Sequence, residues 1–226
     1  MIENPPKTLA EAVYIRLRQD ILSGKLKPGS KLRFAEMTKI YEAGISTLRE
    51  SLSRLTADRL VIAEGQRGFR VSPISLSELW DITRLRADLE SAALEESIDA
   101  GTDAWEGEVL SYLHRLMKLE SRHGTTPLLL TEEGAHLHKL FHMSLISPCP
   151  SVWRLRVIDV LYDQSERYRR LQTSYLSSVL NSAEDHQAIA MAAISRNKSR
   201  ATALLTLHLE RTADMLAGIQ ELWTDA

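Results

Sequence analysis

Cysteine is almost missing from this chain: Cys149 is the single one among 226 residues. One thiol cannot build an internal disulfide framework, and its scarcity fits a reducing cytoplasm. Long apolar runs are missing as well. No stretch approaches the roughly 18 residues a membrane-crossing helix needs, and the opening MIENPPKTLA lacks the basic, apolar, small-residue order of a secretory signal. The expectation is a soluble, cytoplasmic protein with no membrane partner. Several catalytic signatures are also absent. The chain has no G-x-S-x-G elbow, phosphate loop, dinucleotide fingerprint or H-E-x-x-H. Histidine is missing from the whole first half, since all seven lie after residue 113.

Charge is distributed with the same unevenness. The net charge is -2, yet residues 1–73 hold 13 Lys/Arg against 8 Asp/Glu, and residues 74–226 hold 15 against 22. A basic first part and an acidic remainder are expected when only one of them meets a polyanion. The division falls at Val71-Ser72-Pro73-Ile74-Ser75, where proline closes one segment and a fresh cap signal follows. This predicts two domains, 1–73 and 74–226.

The first part begins with an amphipathic helix. Leu9, Val13, Leu17, Ile21 and Leu22 recur at helical spacing, and Thr8 with Glu11 has the form of a capping box. Gly24 ends the helix, and Lys27-Pro28-Gly29 makes a turn. Residues 34–72 then read as two short helices and a two-stranded wing. The second helix is expected to start near Ser46, burying Leu48, Leu52, Leu55 and Leu60 and exposing Thr47, Arg49, Arg54 and Arg59. The wing would pair Leu60-Val61-Ile62 with Phe69-Arg70-Val71 across residues 64–68. That order is a winged helix-turn-helix, whose second helix enters the DNA major groove, where arginine reads guanine or grips phosphate. For Arg54 and Arg59 a solvated face or a helix–helix ion pair is the better reading. For Arg49 an ion pair with Glu50 or Glu36 is the alternative to DNA.

After Pro73 only helices are expected, near 77–100, 103–123, 131–147, 151–171, 180–196 and 199–221. The breaks are Gly101, residues 124–127, Pro148-Cys149-Pro150 and Asn197-Lys198. The fold class is therefore mainly α: a winged helix-turn-helix followed by an all-α antiparallel bundle. His138 and His142 stand four apart, so both leave one face of a helix, and His186 and His208 fall on the last two helices. From spacing alone, a first-row transition-metal site and a set of surface histidines are both open. His114, His123 and His136 read as surface or packing residues, and the four tryptophans as core or interface. Arg86 falls on a face expected to be buried, where a guanidinium needs a partner. An internal salt bridge with Asp88 or Glu90 and a clamp on a bound carboxylate are the two readings.

Several runs resemble the GntR family of bacterial transcription regulators: LSGKLKPG at 22–29, LRESL at 48–52 and GQRGFRV at 65–71. The remainder resembles the helical FCD effector domain of the FadR subfamily, through RADLE at 86–90, Phe141-His142, His186 and His208. Tyr41 with Gly44, and the run WEGEVL at 105–110, are similar to the carbon-starvation-induced CsiR branch. The resemblance implies a homodimeric repressor that reads a palindromic double-stranded operator. Arg33, Ser46, Thr47 and Arg49 would meet bases or phosphate, with Arg67 and Gly68 at the minor groove. Ile45 stands where the family has the first arginine of its S-R-T-P-V-R-E run, so the common family operator does not carry over.

In the resembling domains an Asp and three His hold a divalent metal, and the Asp position corresponds to His138. The implied ligand set is His138, His142, His186 and His208. An imidazole in place of a carboxylate favours zinc or nickel over magnesium or calcium. The implied effector is a small organic acid, with glutarate or 2-hydroxyglutarate suggested by the CsiR-like details, held by Arg86, Arg167 and Arg169. Two rival readings remain at this point, a metal-dependent hydrolase and a DNA-binding protein without an effector.

Overall fold

The computed structural model describes residues 6–123, 131–172, 183–219 and 223. Among the described residues the chain separates into two compact units, residues 6–75 with Trp223 and residues 76–219.

The first unit opens with α1 (Leu9–Leu22). The Thr8 hydroxyl accepts the Glu11 N–H, while the Glu11 carboxylate takes the Lys7 N–H at 2.7 Å, so the capping box closes one residue early. Its buried stripe is Ala10, Val13, Leu17, Ile21 and Leu22; Leu9, expected inside, is exposed. Gly24 ends the helix at φ 75°, a left-handed conformation that glycine adopts without strain. Then follow β1 (Lys31–Leu32), α2 (Phe34–Tyr41), α3 (Ile45–Ala57), β2 (Val61–Ala63), a 3-10 turn (Gly65–Arg67) and β3 (Phe69–Val71).

The wing has one more strand than its sequence suggested. Strand order is β1-β3-β2, all antiparallel, with Lys31 opposite Arg70 and Val61 opposite Val71. A two-residue strand carries no alternation to detect. Leu60 also differs from expectation, because α3 stops at Ala57. Arg59 turns left-handed at φ 61°, Leu60 N–H returns to Leu55 O at 3.0 Å, and Arg59 N–H to Thr56 O at 3.1 Å. This is a Schellman motif with arginine where glycine usually stands. Leu60 therefore enters the core from the turn, beside Leu48, Leu52 and Leu55.

The second unit contains α4 (Leu76–Ala100), α5 (Asp103–His123), α6 (Glu132–Leu145), α7 (Val152–Gln172), α8 (Ala183–Ile194) and α9 (Lys198–Ala217). Residues 124–130, 180–182 and 220–221, where one break and two helix ends were expected, lie outside the described residues. Helix α4 packs on α7 and α9, α5 on α6 and α8, and α8 on α9. Leu94, Ile98, Val109, Leu116, Phe141, Ile189 and Leu205 are shared core. Thr131 caps α6 by accepting Gly134 N–H, and Asn197 caps α9 by accepting Arg200 N–H. Gly101 matters sterically, since a Cβ there would lie 2.1 Å from the Trp105 ring. Among the described residues, no helix is long and apolar enough to cross a membrane.

Candidate metal centre and DNA-facing surface

In the second unit, four imidazoles meet. Helix α6 buries one face, carrying Leu137, His138, Phe141 and His142. Helix α8 contributes His186, and α9 contributes His208 from its stripe with Ala201, Leu205 and Leu209. One ligand-capable atom from each histidine lies within 4.8 Å of those of the other three. All four side chains are buried.

Their hydrogen bonding is unequal. Both ring nitrogens of His142 and both of His186 are buried with no partner. An unpaired buried polar atom costs about 1–3 kcal/mol, so four on two facing rings call for an explanation. The Nδ1 of His208 lies 3.6 Å from Asp185 Oδ2, the outer-shell carboxylate arrangement that orients metal-binding imidazoles. His138 Nδ1 is 2.6 Å from the Tyr162 hydroxyl, and Arg169 Nη1 is 2.6 Å from His138 Nδ1 and 2.9 Å from its Nε2.

Burial is the largest cause holding His138, His142 and His186 well below the ordinary imidazole range, with neighbouring histidines and Arg169 adding to it. His208 falls to about 4, because burial outweighs the opposing Asp185 carboxylate. The rings are thus neutral near pH 7 and keep the lone pairs a metal needs. All-nitrogen donors, orphaned and converging, fit a divalent first-row transition metal. Nitrogens around such an ion lie about 3.3 Å apart for bonds near 2.0 Å, so modest side-chain closure completes the shell.

Beside the histidines is a pocket also lined by Thr83, Arg86, Tyr162, Ser165, Glu166 and Arg169. Arg86 Nε bonds Glu90 Oε1 at 2.6 Å and its Nη1 bonds Ser165 Oγ at 2.8 Å; Nη2 has no partner among the described residues. The internal salt bridge and the pocket position therefore coexist. Arg169 pairs with Glu166, which also accepts from Arg170 Nε at 2.8 Å. Burial works against the Arg169 charge, but Glu166 outweighs it and the pKa rises.

Arg167 does not reach this pocket, contrary to expectation. Tyr162, Ser165, Glu166 and Arg169 follow the i, i+3, i+4, i+7 stripe of α7, and Arg167 lies off it. It is buried elsewhere, donating to Gln164. Glu90 is one of the partners expected for Arg86, four residues on along one helix. Asp185, Tyr162, Ser165 and Glu166 escaped the sequence reading, because their roles come from neighbouring helices.

In the first unit the candidate residues stay on the outside. Arg33 stands at the start of α2, 3.4 Å from Glu36. Ser46 and Thr47 fall in the first turn of α3. Arg49 is exposed and lies over the Phe34 ring at 5.3 Å, rather than pairing with Glu50 or Glu36. Phe34 in turn meets Phe69 of β3 edge-on at 6.1 Å. Arg67 and Gly68 form the wing tip, and Gly68 has φ 96° and ψ −135°, a conformation closed to side chains. Arg54 stacks on Tyr14 of α1 at 4.2 Å, a helix–helix contact of a kind different from the expected ion pair.

Residues 9–71 match the pattern of bacterial regulatory proteins of the gntR family, and residues 81–211 match the FCD domain. BphR of Paraburkholderia xenovorans (strain LB400), described as an uncharacterised HTH-type transcriptional regulator, is 39% identical over 93% of this chain and 86% of its own length. The HTH-type transcriptional repressor GlaR of Escherichia coli (strain K12) is 36% identical, covering 87% of this chain and 90% of its own. Among solved structures, Escherichia coli McbR/YncC shares the fold at a TM-score of 0.76 and 18% identity, over 93% of this chain and 97% of that one.

Proposed function

The chain belongs to the GntR family of bacterial regulatory proteins and carries an FCD domain, and from that premise we propose a metal-containing repressor controlled by a small carboxylate. It is a DNA-binding transcriptional regulator, not an enzyme. Residues 1–73 form the DNA-binding domain and residues 74–226 the effector-binding and dimerisation domain. Two copies read a palindrome, because one winged unit offers too few contacts for a specific operator. Arg33, Ser46, Thr47 and Arg49 contact the major groove or its phosphates, and Arg67 with Gly68 approaches the minor groove. The repressing sign is drawn from the name of the GlaR relative, and the cytoplasm is the compartment.

One observation carries the effector reading: buried His142, with both ring nitrogens unpartnered, lines the same pocket as Arg86, Arg169 and His208, and His186 packs against His142 at 5.3 Å. Zinc or nickel held by the histidine cluster would supply a Lewis-acidic position for a carboxylate oxygen. The protein's own part is to present cations without water. Glu90 and Ser165 fix the Arg86 guanidinium and leave Nη2 for an anion. The effector proposed from the CsiR-like details is a five-carbon dicarboxylate such as glutarate or 2-hydroxyglutarate, with Arg86 and Arg169, both near the Tyr162 ring at 5.1 and 5.7 Å, to receive its carboxylates. Release of the operator requires the effector to favour one placement of the two winged units over the other.

Elemental analysis of purified protein, followed by thermal shift and operator gel shift with glutarate, tests the reading. Near-stoichiometric zinc or nickel, a raised melting temperature and operator release are expected. Protein that takes up no added metal and ignores both acids would leave only the DNA-binding half.

A further inference from the structure

The four histidines grouped in the proposed metal reading differ in geometry. Resting on that reading, we infer that His142, His186 and His208 alone form the protein's shell around the metal. His138 stays outside it as a positioning residue that aims Arg169 at the bound carboxylate.

Three observations separate the two kinds. The ring centroids of His142, His186 and His208 form a nearly equilateral triangle, with sides of 5.3, 5.3 and 4.8 Å. His138 breaks that symmetry, at 4.5 and 4.8 Å from two of them but 6.5 Å from His208. Hydrogen bonding divides them the same way. His142 and His186 have four unpartnered nitrogens, and His208 turns Nδ1 toward Asp185, leaving Nε2 for a ligand bond. On His138, Arg169 Nη1 lies within reach of both ring nitrogens and the Tyr162 hydroxyl within reach of Nδ1; a neutral imidazole offers one acceptor nitrogen, and Arg169 takes it. A guanidinium only donates, so the bond to Arg169 consumes a lone pair of His138.

Chemistry points the same way. A tetrahedral ion held by four imidazoles has no position left for an effector, whereas three imidazoles leave one open. A neutral imidazole also orients Arg169 without cancelling its charge. A carboxylate at position 138 would neutralise that charge and compete with the incoming anion. Arg169 is thus held by Glu166 on one side and His138 on the other, so the imidazole adds no second negative charge beside Glu166.

The test is cobalt(II) titration of the chelator-treated full-length protein, read by stoichiometry and visible spectrum, then acetate titration of the cobalt-loaded form. Wild type, His138→Leu, His138→Gln and His142→Leu are compared, with circular dichroism confirming the fold. His138→Leu is expected to bind one cobalt within about threefold of wild type and with unchanged bands, while His142→Leu loses about 100-fold or more. Acetate should bind about tenfold more weakly to His138→Leu. His138→Gln should restore it, because its amide oxygen accepts from Arg169. Lost cobalt or shifted bands in His138→Leu would make His138 a ligand and overturn the inference. Should His138→Leu not fold, His138→Gln decides the cobalt question by the same criterion. Unchanged acetate affinity in His138→Leu would remove the positioning role. If wild type itself takes no cobalt, the metal reading fails, and the outcomes are told apart by which protein loses the ion.

Discussion

The two units hold their cations in opposite ways. The first leaves Arg33, Arg49 and Arg67 exposed, where a guanidinium costs little to keep and, in the proposed reading, would meet an extended polyanion. The second buries Arg86, Arg167 and Arg169 and all four clustered histidines. A buried guanidinium must be bought with a carboxylate, and Glu90 and Glu166 serve Arg86 and Arg169. The difference teaches how each unit would serve the proposed function: exposed charge for a long surface of phosphates, buried charge for one small anion.

The sharpest way to break this contrast is to remove a buried counter-charge. Glu166→Ala leaves Arg169 and Arg170 without their shared partner and is expected to destabilise the helical unit by about 3–5 kcal/mol, measured by urea unfolding. Acid gives the next largest effect. In metal-stripped protein, His208 has a folded pKa of about 4 against an ordinary 6.5. The proton therefore prefers the unfolded chain; stability is complete above pH 6.5 and is lost as pH falls toward 4. For His208 alone the loss is about 3 kcal/mol, and His138, His142 and His186 are shifted in the same direction. The first unit has no histidine, so the acid-sensitive transition should belong to the second. Unfolding followed by tryptophan fluorescence at pH 7 and pH 5 checks this; equal stability at both would refute it.

Arg49→Ala separates recognition from folding. It should weaken a cognate operator by about 10- to 100-fold, seen by gel shift, and leave the melting temperature nearly unchanged, because the side chain is exposed. The smallest effect is a gain. Arg59→Gly relieves a left-handed residue at φ 61° and should add about 0.5–1 kcal/mol after the entropy cost of glycine. A loss would mean that the arginine side chain contributes something its backbone conformation hides.

How far the sequence could be read depended on the range of the interaction involved. Local signals worked: Thr8 caps α1 by accepting the Glu11 N–H, and the spacing of His138 and His142 put both on the inner face of α6. The bundle helices begin and end within a few residues of expectation wherever they are described. Signals needing a second chain segment failed. Strand β1 exists only because β3 pairs with it. Leu60 followed the helical pattern on paper, yet α3 had already ended in its Schellman turn. Arg86 showed two open roles in sequence, and the structure shows it bonded to Glu90 while lining the pocket. Arg167 and Arg169 are two apart and indistinguishable by composition, but the stripe of α7 sends only Arg169 to the histidines. Tyr162 and Asp185 gained their importance from rings on other helices.

Phe34 ties two probes of the DNA-facing unit to one ring. Arg49 of α3 lies over its face, and Phe69 at the base of the wing meets it edge-on. The stride between the helix arginine and the wing tip is therefore fixed by packed aromatic carbon before any operator arrives. If Arg49 and the wing tip contact DNA as proposed, the unit would work as a caliper. It would accept duplexes whose two grooves already present themselves at that opening, and measure the shape of its target as well as its letters.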